Sequence, residues 1–193
     1  CVQCHAHPYD TIDHRDYYTA LAYFNQTADA DREDDSPLLH VAWERGTTTV
    51  PVMQELRAGE QRATNVFTRG NWRALGDAVA PGTPACFPPQ GAQRSDRLGL
   101  AHWIMDPANP RAARVEANRI WETIFGRGLV ETLEDFGEAG TRPSDVVLLD
   151  FVASRLQKLG WSRKALIGEI VKSRTYRMSA QPSDAALRID PDN

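Results

Sequence analysis

The stretch of residues 109–126, NPRAARVEANRIWETIFG, indicates the fold class of the chain. Asn109 and Pro110 provide a helix cap and a first-turn proline, and Gly126 provides a stop. Between them, apolar side chains recur at steps of three and four residues, which is the period of one face of an α-helix. These apolar positions are Ala113, Ala117, Ile120, Trp121, Ile124 and Phe125. The stretch therefore predicts an amphipathic helix that ends at about residue 125.

The same period continues on both sides of this helix. Residues 95–105 are predicted to form a helix with Ser95 as N-cap and Asp106-Pro107 as stop. A further helix is predicted to start at Arg142-Pro143-Ser144 and to stop at Gly160, and a last helix follows the next short turn. The first of these two helices is predicted to face inward with Leu148, Val152, Leu156 and Leu159. The last helix carries the apolar residues Leu166, Ile167, Ile170 and Val171. The sequence thus predicts a mainly α protein with a helical C-terminal bundle.

The N-terminal half is predicted to be less regular. Asp13 is a suitable N-cap for a helix over 14–25, with Tyr17, Leu21 and Phe24 on one apolar stripe. Two β-leaning runs, 47–53 and 63–68, predict one small hairpin. Residues 70–91 are rich in Pro and Gly and indicate an irregular connector. The tail at 183–193 is predicted to be irregular as well.

Composition excludes several classes of protein. The 193 residues are 41% hydrophobic and 25% charged, which is ordinary for a globular chain and rules out wholesale disorder. The longest aliphatic run, 146–149, is far shorter than the roughly 20 residues of a membrane span. No targeting peptide is visible. Because the chain begins with Cys1, we expect a processed product or an internal piece whose export signal lies upstream.

Charge is unevenly distributed along the chain, although the net charge is only −4. Residues 29–35 hold five acids and one base, and residues 155–177 hold seven bases and one acid. The basic segment is a candidate docking surface for an acidic partner, with a solvated helix face as the alternative. The acidic segment fits a solvated turn better than a calcium site, because it departs from the EF-hand template.

The motif that carries chemistry is Cys1-Val2-Gln3-Cys4-His5. This C-x-x-C-H pattern is typical of the attachment of c-type haem. The two thiols, one turn apart, can add to the vinyl groups of one porphyrin, and His5 would be the proximal ligand of the iron. The motif predicts one covalent haem c on Cys1, Cys4 and His5.

Other interpretations of the motif stay open. The cysteines could form a redox dithiol, although the usual βαβ context is absent. Cys1, Cys4, His5 and His7 could bind zinc, but a second distant ligand pair is missing. Cys1 could also be the lipidated first residue of a processed lipoprotein.

The ligand on the opposite side of the iron is not predicted by the sequence. His7 is tethered too close to His5 to reach that side, and Met105 fits a helical core position better. A vacant or water-bound position is equally open. The remaining donors are His14, His40, His102, Met53, Met105 and Met178.

Several stretches resemble the planctomycete-type cytochrome c family. Residues 1–10 (CVQCHAHPYD), 16–18 (DYY) and 24–27 (FNQT) are similar to the end of its second cytochrome-c-like domain. Stretches similar to the domain that follows are 66–71, 98–101, 118–121, 125–130, 134–137, 160–162, 164–166 and 173–177. These are the domains of unknown function 1549 and 1553. The resemblance covers nearly the whole chain in the right order.

The resemblance implies a division of the chain into three parts. Residues 1–45 would end a cytochrome-c-like domain, 46–92 would form the hairpin and connector, and 93–193 would be a partial helical domain of unknown function. It also implies an exported protein of the periplasm or cell surface, with a redox partner and a link to polymer breakdown. No catalytic residue follows from it, and two family histidines are replaced here, at Asp145 and near Thr123.

Arginines within the family-like stretches have two interpretations. Arg69, Arg119 and Arg127 would bind haem propionates or bridge helices through charge-assisted hydrogen bonds. Alternatively, they would form a buried network with Glu134 and Asp135.

The function predicted from these observations is outer-sphere electron transfer outside the cytoplasm, with His5 holding the iron. The alternative is a helical interaction module whose C-x-x-C-H binds zinc or is unused. Nucleic acid is a disfavoured partner, because the basic last helix lacks side chains such as Asn or Gln that read base edges. A carbohydrate-active role also stays open, since Glu131, Glu134, Asp135 and Glu138 supply carboxylates whose separation the sequence does not show.

Overall fold

The computed structural model describes residues 1–28, 38–92, 94–179, 181 and 183–189. The chain forms two compact units, the first from Cys1–Asn109 with Gly137–Ala139 and the second from Pro110–Phe136 with Gly140–Asn193. The described residues form helices and two antiparallel sheets of two strands each. This confirms a helical chain with small hairpins. The acidic segment 29–35 lies outside the described residues, and the three-part domain division stays a prediction.

Helix α1, His14–Phe24, begins in the first unit as the sequence predicts. Asp13 is its N-cap and forms a capping box with Asp16. The predicted apolar stripe is wrong, because Phe24 is 50% exposed and the buried residues are Tyr18, Ala22 and Tyr23. The two tyrosines can be buried because their hydroxyls find acceptors, on Gln3 and Gln90.

Both predicted β runs form strands, but they do not pair with each other. Strand β1, Leu38–Trp43, pairs with β2, Gly46–Pro51, and β3, Thr64–Phe67, pairs with β4, Leu75–Val79. The prediction of one hairpin is therefore wrong, and so is that of an irregular chain at 75–79. Each strand has a partner close by in sequence, so two short hairpins replace one long connection.

Helix α2, Arg97–Met105, completes the first unit. Its N-cap is Asp96 and not Ser95, because the Asp96 carboxylate accepts a 2.8 Å hydrogen bond from the amide of Gly99. Met105 is 44% exposed, which contradicts its predicted place in a core. The indole of Trp103 is buried and donates to the carbonyl of Pro88 at 2.8 Å.

The second unit is built from helices that follow the predicted period. Helix α3 is Pro110–Phe125, α4 is Val146–Lys158 and α5 is Arg163–Lys172. Their shared core consists of Ala113, Ala117, Ile120, Val152, Ala153, Leu156, Leu166 and Ile170. Among the described residues, none of the helices combines the length and apolarity that a bilayer crossing requires.

Two local predictions in this unit need correction. Helix α4 starts at Val146 rather than at residue 142, because the Asp145 carboxylate caps it by accepting from the amide of Leu148 at 2.9 Å. Among the apolar residues predicted for the last helix, Ile167 is 39% exposed. The tail contains helix α6, Asp184–Ile189, where an irregular end is predicted.

Candidate functional site

Cys1, Cys4 and His5 lie on a single backbone turn at the surface of the first unit. The amides of Cys4 and His5 both donate to the carbonyl of Cys1, at 2.9 and 3.2 Å. Both thiols are free, and all three residues are exposed. The two sulfurs and the imidazole are therefore accessible together from solvent.

The imidazole of His5 is held in one tautomer. Its Nδ1 lies 2.6 Å from the carbonyl oxygen of Ala6, and because a carbonyl only accepts, Nδ1 carries the proton. In the neutral ring with this tautomer, the lone pair lies on Nε2. This is the arrangement in which a histidine binds a metal through one nitrogen and is oriented through the other.

Helix α1 holds this turn through the carbonyl of Gln3. That oxygen accepts from the hydroxyl of Tyr18 at 2.8 Å and lies 2.9 Å from Nε2 of His14. The two donors are four residues apart, so they share one face of α1. Tyr18 is fully buried, and its ring packs edge-on against His14 and Phe67, with ring centroids 5.2 Å apart in each case.

Burial raises the pKa of Tyr18 above its ordinary value of 10.0, and negative charge on Tyr17 and Cys4 acts in the same direction. The hydroxyl therefore stays neutral, so it remains a donor to Gln3 across the physiological range.

The 3₁₀ turn Thr68–Gly70 supports the same segment on the side of β3. Arg69 and Gly70 both have left-handed backbones, with φ of 51° and 73°. A Cβ on Gly70 would lie 2.5 Å from Sγ of Cys4 and 3.2 Å from the carbonyl oxygen of Gln3. The absence of a side chain at Gly70 is thus what allows Cys4 its present position.

An open groove of about 480 Å³ borders the turn. The guanidinium of Arg15 and the carboxylate of Asp77 lie 3.6 Å apart at its edge. Its other lining residues are Ala6, Asp13, His14, Val66 and Gly76.

Among the predicted candidates for a second iron ligand, His14 alone is shown contacting the turn, through Gln3. His7 is occupied locally, since its Nδ1 accepts from the amide of Asp10 at 2.9 Å. Within the described ranges, no group of three or more His, Cys, Asp or Glu side chains is arranged so that it could hold a metal ion. Surface positions are occupied by His40, His102, Met53, Met105 and Met178.

The predicted buried arginine network is wrong, because Arg69, Arg119 and Arg127 are all exposed. Arg127 instead pairs with Glu131 one turn along the chain. Asp145, at the position of a family histidine, has a structural role as the N-cap of α4.

Comparison with known proteins places the helical part of the chain in a domain class of unknown function. Residues 96–193, half of the chain, match the family model PSD1, described as a protein of unknown function (DUF1553). The chain belongs to this family, whose domain occurs in planctomycete-type proteins. No curated protein and no solved structure matches the chain. The family match bears out the C-terminal part of the resemblance, while the cytochrome-c-like part stays a prediction.

Sequence reasoning found the thiols and the imidazole but missed what surrounds them. The supports provided by Tyr18, His14 and Gly70 come from elements that fold back onto the turn. Only Gly70 could have been found from the sequence. A glycine just after a predicted strand indicates a turn whose backbone needs positive φ.

Proposed function

We propose that Cys1, Cys4 and His5 bind one c-type haem covalently and that the protein takes part in electron transfer outside the cytoplasm. The observation that carries this proposal is the orientation of His5. Its Nδ1–H group donates a hydrogen bond to the carbonyl of Ala6, so Nε2 is the nitrogen available to a metal ion. Two exposed thiols lie on the same turn.

The donor set fits a haem c in number and kind. Each thiol would add across one vinyl group, with a new sulfur–carbon bond and with the thiol hydrogen passing to the neighbouring vinyl carbon. Nε2 of His5 would bind the iron from one side. When bound, the haem supplies a one-electron iron couple.

The residues around the turn would hold and orient this group. Tyr18 and His14 fix the carbonyl of Gln3, and so they fix the turn that bears both sulfurs. The turn is exposed, which leaves room for a partner protein to approach without a conformational change. Such access favours outer-sphere electron transfer.

The redox partner we propose is acidic. In the basic segment 155–177, Arg155 is occupied by Glu169 and Arg163 by Glu116. The cationic side chains that remain exposed without a partner shown among the described residues are Lys158, Lys164, Lys172 and Arg174. These residues form the proposed docking surface, so the association rate with an acidic probe such as polyglutamate should fall as salt is added. A rate independent of salt would contradict it.

Location at the periplasm or cell surface and a role beside polymer breakdown belong to the same proposal. They are supported by the similarity of residues 1–27 to exported planctomycete-type cytochromes.

The experiment is expression of the chain with a cytochrome c maturation system. We expect a sharp α band in the reduced spectrum and haem that stays with the protein on a denaturing gel. Cys4→Ser should leave the haem held by at most one thioether, and His5→Ala should lose the normal spectrum. Cys86→Ser is the matched control, because Cys86 lies outside the motif. This variant should keep both the covalent haem and the normal spectrum. A colourless wild-type protein, or one that carries zinc, would overturn the proposal.

A further inference from the structure

We infer that Gly70 and Tyr18 are positioning residues for haem attachment, and that they set where Cys4 and the turn around it stand. This inference rests on the proposed function. It assigns to two residues outside the C-x-x-C-H motif the task of presenting both sulfurs to one porphyrin.

Gly70 acts by having no side chain. A Cβ there would stand 2.5 Å from Sγ of Cys4, closer than such atoms approach in folded proteins, and 3.5 Å from Cα of the same residue. It would also stand 3.2 Å from the carbonyl oxygen of Gln3. The sulfur would therefore have to move, and the carbonyl of Gln3 would have to shift by a few tenths of an ångström.

Tyr18 acts on the same turn through a hydrogen bond. Its hydroxyl donates to the carbonyl of Gln3, which lies between the two cysteines in sequence. The ring is fully buried against His14 and Phe67, so the hydroxyl has a fixed position. Tyr18 therefore ties the turn to the interior of the first unit.

Attachment of the second sulfur makes this positioning necessary. Each addition forms one sulfur–carbon bond, and the thiol proton and the vinyl double bond are consumed together, without any outside oxidant. After the first sulfur is attached, the second must reach a vinyl group whose place is already set. A displaced Cys4 would leave haem held by a single thioether.

The test compares Gly70→Ala with Gly91→Ala in the full chain, matured with haem. Gly91 has nearly the same φ, 70° against 73°, but a Cβ there meets nothing within 4 Å. Both variants carry the same backbone strain, and only Gly70→Ala crowds the sulfur. We expect Gly70→Ala to lose about tenfold in doubly attached haem, in keeping with the cost of small misplacements. Gly91→Ala should match the wild type.

The readout is the reduced pyridine haemochrome, whose α band moves to longer wavelength when one vinyl group remains unsaturated. A red-shifted band in Gly70→Ala and an unshifted one in Gly91→Ala support the inference. Tyr18→Phe keeps the buried ring but loses the hydrogen bond, and it should give a mixture of the two bands. Equal yields and identical bands in all three variants would overturn it.

A second measurement on haem-free protein separates this inference from the proposed function. In a Cys1→Ser, Cys86→Ser background, Cys4 is the single thiol, and its alkylation rate reports the position of the sulfur. Gly70→Ala should change this rate several-fold because the added Cβ displaces the sulfur, whereas Gly91→Ala should leave the rate unchanged. If the wild type binds no haem, the proposed function fails while this rate still decides the positioning. Equal rates in the two variants would overturn the positioning itself.

Discussion

The side-chain amide of Asn118 pairs with both backbone groups of Val130. Asn118 Nδ2 donates to the carbonyl oxygen of Val130, and the amide of Val130 donates to Asn118 Oδ1, each at 2.9 Å. Asn118 is fully buried on α3, and Val130 is 2% exposed in the segment that follows this helix. One side chain therefore satisfies a backbone donor and acceptor that would otherwise be buried without partners.

Replacing Asn118 with Ala should destabilise the protein by about 2–4 kcal/mol, because two buried backbone groups lose their partners. Urea unfolding measures this as a lower midpoint with an unchanged m-value. Thr123→Ala on the exposed side of the same helix is the control, with an expected change within about 0.5 kcal/mol. Equal urea midpoints for the two variants would show that the hydrogen bonds between Asn118 and Val130 do not stabilise the protein.

Gly128 lies against the same pair of residues. A Cβ there would stand 2.5 Å from the carbonyl oxygen of Val130 and 2.9 Å from Asn118 Nδ2. Gly128→Ala should therefore cost about 1–3 kcal/mol through overpacking.

Gly168, inside α5, is the matched control for that substitution. A Cβ there meets nothing within 4 Å, so Gly168→Ala should stabilise the protein by about 0.5–1 kcal/mol through helix propensity. Thermal melting of the two variants should show shifts of opposite sign. Two shifts of the same sign would contradict the crowding argument.

The ion pair between Arg155 and Glu169 should make stability depend on pH in the acid range. A hydrogen bond from Arg155 lowers the pKa of Glu169 below its ordinary value of 4.5 in the folded protein. The carboxylate of Glu169 therefore binds a proton less readily in the folded state than in the unfolded state. The contribution of the ion pair to stability is complete above pH 4.5 and is lost as pH falls below this value. Glu169→Gln should melt below the wild type at pH 7 and approach it on acidification. A constant difference down to pH 3 would rule out the pair as its source.

Two buried tyrosines should make the stability of the protein fall as pH rises in the alkaline range. Burial raises the pKa of Tyr18 and of Tyr23 above 10.0 in the folded protein. The unfolded chain ionises first, so stability is complete below pH 10 and falls as pH rises through the folded values. Tyr18→Phe should lessen this alkaline loss. Tyr9→Phe, at a side chain 72% exposed, should retain it in melting curves between pH 8 and 11.

The helices could be predicted from sequence because their signals are local. The apolar period and Pro110 gave the bounds of α3, and Asp13 gave the start of α1. The sequence predicts Ser95 as the cap of α2, whereas the cap is Asp96. Both residue types can cap a helix, and only the backbone geometry at the helix start distinguishes them. Local period and cap chemistry thus predict that a helix exists better than where it begins.

Strand pairing and the surroundings of the site could not be predicted, because they depend on contacts between distant residues. The run 63–68 has a clear strand composition, but nothing in it indicates that 75–79 is its partner. The C-x-x-C-H spacing identifies its own three residues. The hydrogen bond from Tyr18 to the carbonyl of Gln3 joins residues 15 positions apart, and no periodicity or motif in the sequence predicts it.

The ribbon formed by β1 and β2 has a consequence for how the molecule opens. Every residue of β2 is exposed, and so are residues 38–42 of β1, so the ribbon is held by its ladder of backbone bonds with little buried apolar surface. Amide protons at 46–51 should exchange with deuterium well before those of α3. We therefore expect the ribbon to fray locally while the Cys1–His5 turn and the helical core stay intact.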